Sequence, residues 1–263
     1  MDKNLVDMNK WNYVMKSAYD FYNQNVFDIS MFEFENLFFT DDLYGEVSKI
    51  HPDIMDILKD DFSCGCTILP DNLNNLNSPV IFLKTQSWNA FNVIRSLFHE
   101  LTHVVDFYKF SKYYNIDIKN IKKINHYENY CLWSEFHSFY SENLYAYQFA
   151  DFYNNTNNFE SMEHVYVDNL SAYFLRERER VYGSGEIFHY DISRFLGYIA
   201  FPDIYDKVVG TDRSYVFEYL TDIFPQESQF EKIKNLYLFY VQVLQDDDIL
   251  DRLNQLDDLI YLL

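Results

Sequence analysis

Glycine and proline are scarce in this chain, six and five among 263 residues, which leaves few places for long flexible linkers. No internal repeat and no compositionally simple junction is present. Cysteine is scarcer still. Cys64 and Cys66, one glycine apart, and the distant Cys131 make an odd set that does not form a secreted disulfide framework, so they read as reduced thiols. A metal site at Cys64 and Cys66 would need two further nearby ligands that the sequence does not offer. Basic residues are outnumbered, 21 Lys and Arg against 41 Asp and Glu, giving a net charge of −20 spread along the chain. That balance excludes free nucleic acid and anionic membrane surfaces as partners. It suits solubility, attraction for basic polypeptides, or mimicry of DNA by an inhibitor. No stretch approaches the apolar length of a membrane span, and Met1-Asp2-Lys3-Asn4-Leu5 opens no apolar run of leader length, so the expected location is the cytoplasm. What is abundant is apolar: 48% hydrophobic and 20% aromatic residues are incompatible with disorder and supply one sizeable core.

The run His99-Glu100-Leu101-Thr102-His103 carries the most chemistry. On a helix, residues four apart project from one face about a turn from each other, so two imidazoles can share one cation. Glu100 then stands beside them, within reach of a water on the metal. HExxH on a helix is the spacing of a hydrolytic zinc site, where three protein ligands leave a fourth position open. The flanks agree: Ser96, Leu97, Phe98, Leu101, Thr102, Val104 and Val105 are all uncharged, as a helix buried on its metal-bearing side requires.

HELTH followed by Val104-Val105-Asp106-Phe107-Tyr108 resembles the active-site helix of the zincin metallopeptidases, thermolysin-like enzymes in particular, over about a dozen residues. The metzincin branch is excluded, because Asp106 and Lys109 stand where its glycine and third histidine would be. The resemblance therefore implies the gluzincin plan, in which a downstream glutamate on a second helix is the third ligand. Glu128, Glu135 and Glu142 are spaced by seven and nearly share a face if 125–152 is one helix. Gluzincins commonly set an aromatic or small residue before this ligand and a small one three after it. Trp133-Ser134-Glu135-Phe136-His137-Ser138 fits best; Glu128, with Cys131 three later, is second, and Glu142, followed by Tyr145, third. Ala146-Tyr147-Gln148-Phe149-Ala150 is more weakly similar to a phrase in intracellular metallopeptidases that cleave repressors of mobile elements. That family's glutamate is replaced here by Tyr145.

Apolar periodicity predicts an α+β, mainly α-helical chain, and the zincin resemblance implies a zincin-like core within it. The expected single domain has two lobes: 1–112, with a small sheet and the HExxH helix, and 113–263, helical and carrying the third-ligand glutamate. Met8, Trp11, Met15, Ala18 and Tyr22 give a first amphipathic helix, and 50–58 a second. Runs at Cys66–Leu69 and Pro79–Thr85 read as a hairpin, the latter as an edge strand for an extended substrate. Ser87 is a candidate cap for the HELTH helix. After a polar loop at Asn154–Asn158, helices are expected at 162–182, 192–200, 215–223, 230–244 and from Asp248. The last has a narrow seam, Ile249, Leu253, Leu256, Ile260 and Leu263, suited to covering the core.

Other polar residues carry weaker signals. Arg176-Glu177-Arg178-Glu179-Arg180 reads as a self-paired helix surface rather than a carboxylate clamp. Gly183-Ser184-Gly185 leads to a loop, 186–190, where His189 or Tyr190 could serve as an oxyanion donor. His137 points away from the ligand face, and His51, His126 and His164 read as structural or solvent-facing. Asp106, near one turn beyond His103, could hold an imidazole from behind. The expected activity is zinc-dependent peptide hydrolysis with His99, His103 and Glu135 as ligands and Glu100 as general base. The expected partner is a peptide or protein substrate, and the protein is expected to be a monomer. The rival is a non-catalytic zinc-binding or acidic interaction protein on the same scaffold.

Overall fold

A computed structural model describes residues 3–50, 64–71, 74, 76–85, 90–157, 188–209 and 214–263. The described residues are mainly helical with one small sheet, as the apolar periodicity implies. It divides into two compact units, Met1–Ile121 and Lys122–Leu263.

In the first unit, helix α1 spans Lys3–Asn25 and buries Met15, Ala18 and Tyr22 completely. Strand β1 (Leu37–Thr40) is followed by helix α2 (Leu43–Ile50), strands β2 (Gly65–Ile68) and β3 (Val80–Lys84), and helix α3 (Ala90–Tyr113). The strand order is β1-β3-β2. β2 runs antiparallel to β3 with Gly65 opposite Leu83 and Thr67 opposite Ile81, which is the expected hairpin. β1 runs parallel to β3 on its other side, Leu37 opposite Ile81.

That pairing corrects the expectation that 79–85 is an edge. Val80-Ile81-Phe82-Leu83 is buried on both faces, and an unbroken apolar run is what a central strand carries. Among the described residues the edges are β1 and β2. Side chains alternate across a strand, so Val80 and Phe82 pack with Leu43, Val47 and Ile68 in one cluster. Gly65, Thr67, Ile81 and Leu83 share the opposite face, where β2 and β3 both meet α3.

Helix α3 buries Leu97, Phe98, Leu101 and Val104 completely. α1 lies against it: the Tyr22 ring stacks on Phe98 at 5.6 Å, and its hydroxyl is 3.0 Å from Thr102 Oγ1. Thr102 donates its one hydroxyl proton to the Phe98 carbonyl, so Tyr22 is the donor of that pair. Residues 51–58 and Ser87, both assigned roles from the sequence, lie outside the described residues.

In the second unit, helix α4 spans Tyr127–Asn157. It starts two residues later than the predicted 125–152 helix and continues through Asn157, into the stretch expected to form a loop. A residue of modest propensity costs only a few tenths of a kcal/mol when it extends a helix already nucleated, so a polar run does not by itself end one. Helix α5 (Phe188–Val209) follows, then α6 (Ser214–Ile223), α7 (Glu227–Asp246) and α8 (Leu253–Leu262). His189 and Tyr190 therefore open a helix instead of lying in a loop. The predicted helix at 162–182, the Arg176–Arg180 run and Gly183–Gly185 fall outside the described residues.

α4 and α5 approach so closely that a Cβ on Gly197 would stand 2.2 Å from the Phe136 carbonyl oxygen. Tyr240 of α7 packs on Phe136 at 4.6 Å and Trp133 at 5.6 Å. α8 buries Leu253, Leu256 and Ile260 against α7 and α4, so the narrow seam covers the core. Asp257 ties this helix to the start of α4 through His126 Nδ1 at 2.6 Å and Asn129 Nδ2 at 2.7 Å.

Candidate metal centre

α3 buries two of its acidic side chains. Glu100 is 6% exposed and Asp106 2% exposed. His99 Nε2 and His103 Nε2 lie 3.1 Å apart, with ring planes at 81° and the His103 ring against Phe107 at 6.3 Å. Two imidazoles one helical turn apart and aimed at a common point fit a shared cation. Zinc–nitrogen bonds of about 2.0–2.1 Å at a tetrahedral angle would separate the two nitrogens by roughly 3.3 Å, close to the observed spacing.

Glu135 completes the group. One ligand atom from each of His99, His103 and Glu135 lies within 4.8 Å of the other two, and this trio could hold a metal ion. Among the described residues no other set of three His, Cys, Asp or Glu side chains meets that criterion. Glu128 is exposed in the first turn of α4 and Glu142 is buried further along it; neither joins the trio. The donor set, two imidazoles and a carboxylate, is one that divalent zinc accepts.

Glu100 is held by strand β2. Thr67 Oγ1 donates to Glu100 Oε2 at 2.7 Å and lies 3.1 Å from the Glu100 backbone oxygen. A Cβ at Gly65 would meet Glu100 Oε1 at 2.7 Å. Sequence reasoning missed Thr67 and Gly65. Strand alternation puts them on one face, but nothing in the linear order says that this face meets α3.

Other predicted residues have structural settings. His137 is buried and stacks on Trp133 at 5.6 Å, and His126 is bonded to Asp257. His51 and His164 lie outside the described residues. His189 is exposed, while the Tyr190 ring sits beneath the Arg194 guanidinium at 5.6 Å. Burial pushes the Cys131 thiol up to about 12, with the Glu135 and Glu128 carboxylates adding to the rise and a hydrogen bond with Tyr127 opposing it. None of the three cysteines forms a disulfide. Among the described residues, no helix is long and apolar enough to cross a membrane. Compared with known proteins, the chain matches no family model, no curated protein and no solved structure.

Proposed function

We propose that the protein is a zinc-dependent metallopeptidase with a zincin-like core, acting on peptide or protein substrates. The observation that carries this reading is the meeting of Glu135 with His99 and His103, beside a buried glutamate next to one ligand in sequence. His99, His103 and Glu135 would hold the cation. When bound, a divalent ion there supplies Lewis acidity toward a carbonyl oxygen and acidifies water.

Glu100 does the proton work. Its carboxylate takes a proton from the water that attacks the scissile carbonyl, and gives it to the departing amine as the C–N bond breaks. Among the described residues β2 is the edge strand against α3, so an extended substrate adding to that edge would lay its backbone alongside Glu100. This corrects the strand assigned that role from the sequence.

The test uses zinc-loaded protein and denatured casein, with new N-termini read by mass spectrometry. Cleavage by the wild type, loss of it in Glu100→Gln and undiminished zinc content in that variant are the expected results. Cleavage that persists in Glu100→Gln rejects the role of Glu100. A wild type that binds zinc and leaves every peptide bond intact favours the rival reading, a zinc-holding interaction protein.

A further inference from the structure

We propose that Thr67 is a positioning residue that sets the orientation of the Glu100 carboxylate, with Gly65 as the clearance that the orientation requires. The proposal deepens the reading of Glu100 as proton carrier and rests on it. Thr67 has one hydroxyl proton and two acceptors within reach, Glu100 Oε2 at 2.7 Å and the Glu100 backbone oxygen at 3.1 Å. The shorter contact is to the charged atom, and a hydroxyl donating to a carboxylate is about twice as strong as a neutral pair. The proton therefore belongs to Oε2.

A glutamate side chain has three rotatable bonds, and α3 by itself fixes none of them. The strand does. Gly65 and Thr67 share the face of β2 that meets α3, and their register against Leu83 and Ile81 of the central strand holds them there. Thr67 pins Oε2, which leaves Oε1 on the Gly65 side. An added Cβ at position 65 would stand 2.7 Å from Oε1, 2.9 Å from Glu100 Cγ and 3.0 Å from Leu83 Cδ2, so any side chain there displaces the carboxylate. One residue attracts one oxygen; its neighbour but one, by lacking a side chain, makes room for the other. Oε1 is then the oxygen placed to exchange a proton.

Two measurements test this. The first uses metal-free protein and a double-mutant cycle in urea, which needs no activity. Thr67→Val, which keeps shape and strand propensity, is expected to lower the folding constant about tenfold when Glu100 is present, as loss of a hydrogen bond to a charged group does. In a Glu100→Ala background the hydroxyl keeps only the residue-100 backbone oxygen, so the same substitution is expected to have a clearly smaller effect, of about threefold. Equal effects in both backgrounds overturn the proposal. The second uses zinc-loaded protein and casein peptides. Thr67→Val and Gly65→Ala are expected to lower kcat by about ten- to a hundredfold with KM and zinc content unchanged, and Thr67→Ser to restore it to within about threefold. Wild-type turnover in Thr67→Val, or a Thr67→Ser variant as slow as the valine, overturns it. If the wild type cleaves nothing, the proton-carrier reading fails, and the urea cycle alone decides whether Thr67 orients Glu100.

Discussion

Burial holds the Cys131 thiol at about 12, against 9.0 for an ordinary cysteine, and this has two measurable consequences. At pH 8 the native protein should carry about a thousandfold less thiolate there than the unfolded chain, so iodoacetamide should label Cys131 only after denaturation, as peptide mapping can show. The stability consequence has a definite sign. A folded-state value above the unfolded one favours the protonated form in the native state, so this contribution is fully present below pH 9 and is lost as pH rises toward 12. Burial moves Tyr140 the same way, from 10.0 to about 12. Urea midpoints should therefore fall between pH 9 and pH 11; a flat or rising profile would contradict both shifts. At this scale His99, Glu100 and His103 were legible because helical period alone aligns them. Glu135 was legible only as the best of three glutamates at sevenfold spacing. Thr67 was invisible, since its role depends on a strand crossing a helix 33 residues later.

Elements were easier to read where apolar period and length agree, as in α3, α7 and α8. The sequence does not single out Leu37-Phe38-Phe39-Thr40 as a strand, because no tight turn links it to its parallel partner, and without it the central β3 reads as an edge. Turn-favouring asparagines suggest an earlier end to α4 than Asn157, because their small cost inside a long, already nucleated helix is not visible in the local sequence. Two element contacts lend themselves to test. Gly197→Ala should gain about 1 kcal/mol of helix propensity, yet its methyl would press on the Phe136 carbonyl at 2.2 Å. A backbone atom cannot rotate aside, so net destabilisation of about 1–3 kcal/mol is expected in urea unfolding; a stabilised variant would mean that α4 and α5 are further apart than described. Leu256→Ala, at the fully buried centre of the α8 seam, should cost about 2–5 kcal/mol. A loss below about 0.5 kcal/mol, the range of surface substitutions, would mean that α8 does not cover the core.

At the scale of the whole molecule, the proposed chemistry rests on the His99, His103 and Glu135 trio, which could hold a metal ion. A ligand that binds only the folded chain stabilises it by mass action, by about 4 kcal/mol at a thousandfold excess over Kd. Zinc should therefore raise the Tm of the wild type and leave that of His103→Ala nearly unchanged. The claim that these three side chains hold a divalent cation is tested most directly by zinc K-edge X-ray absorption on the loaded protein. The account expects a shell of nitrogen and oxygen at about 2.0–2.1 Å with the outer-ring scattering of two imidazoles and no sulfur. A thiolate shell at about 2.3 Å, or a spectrum without imidazole scattering, would contradict it.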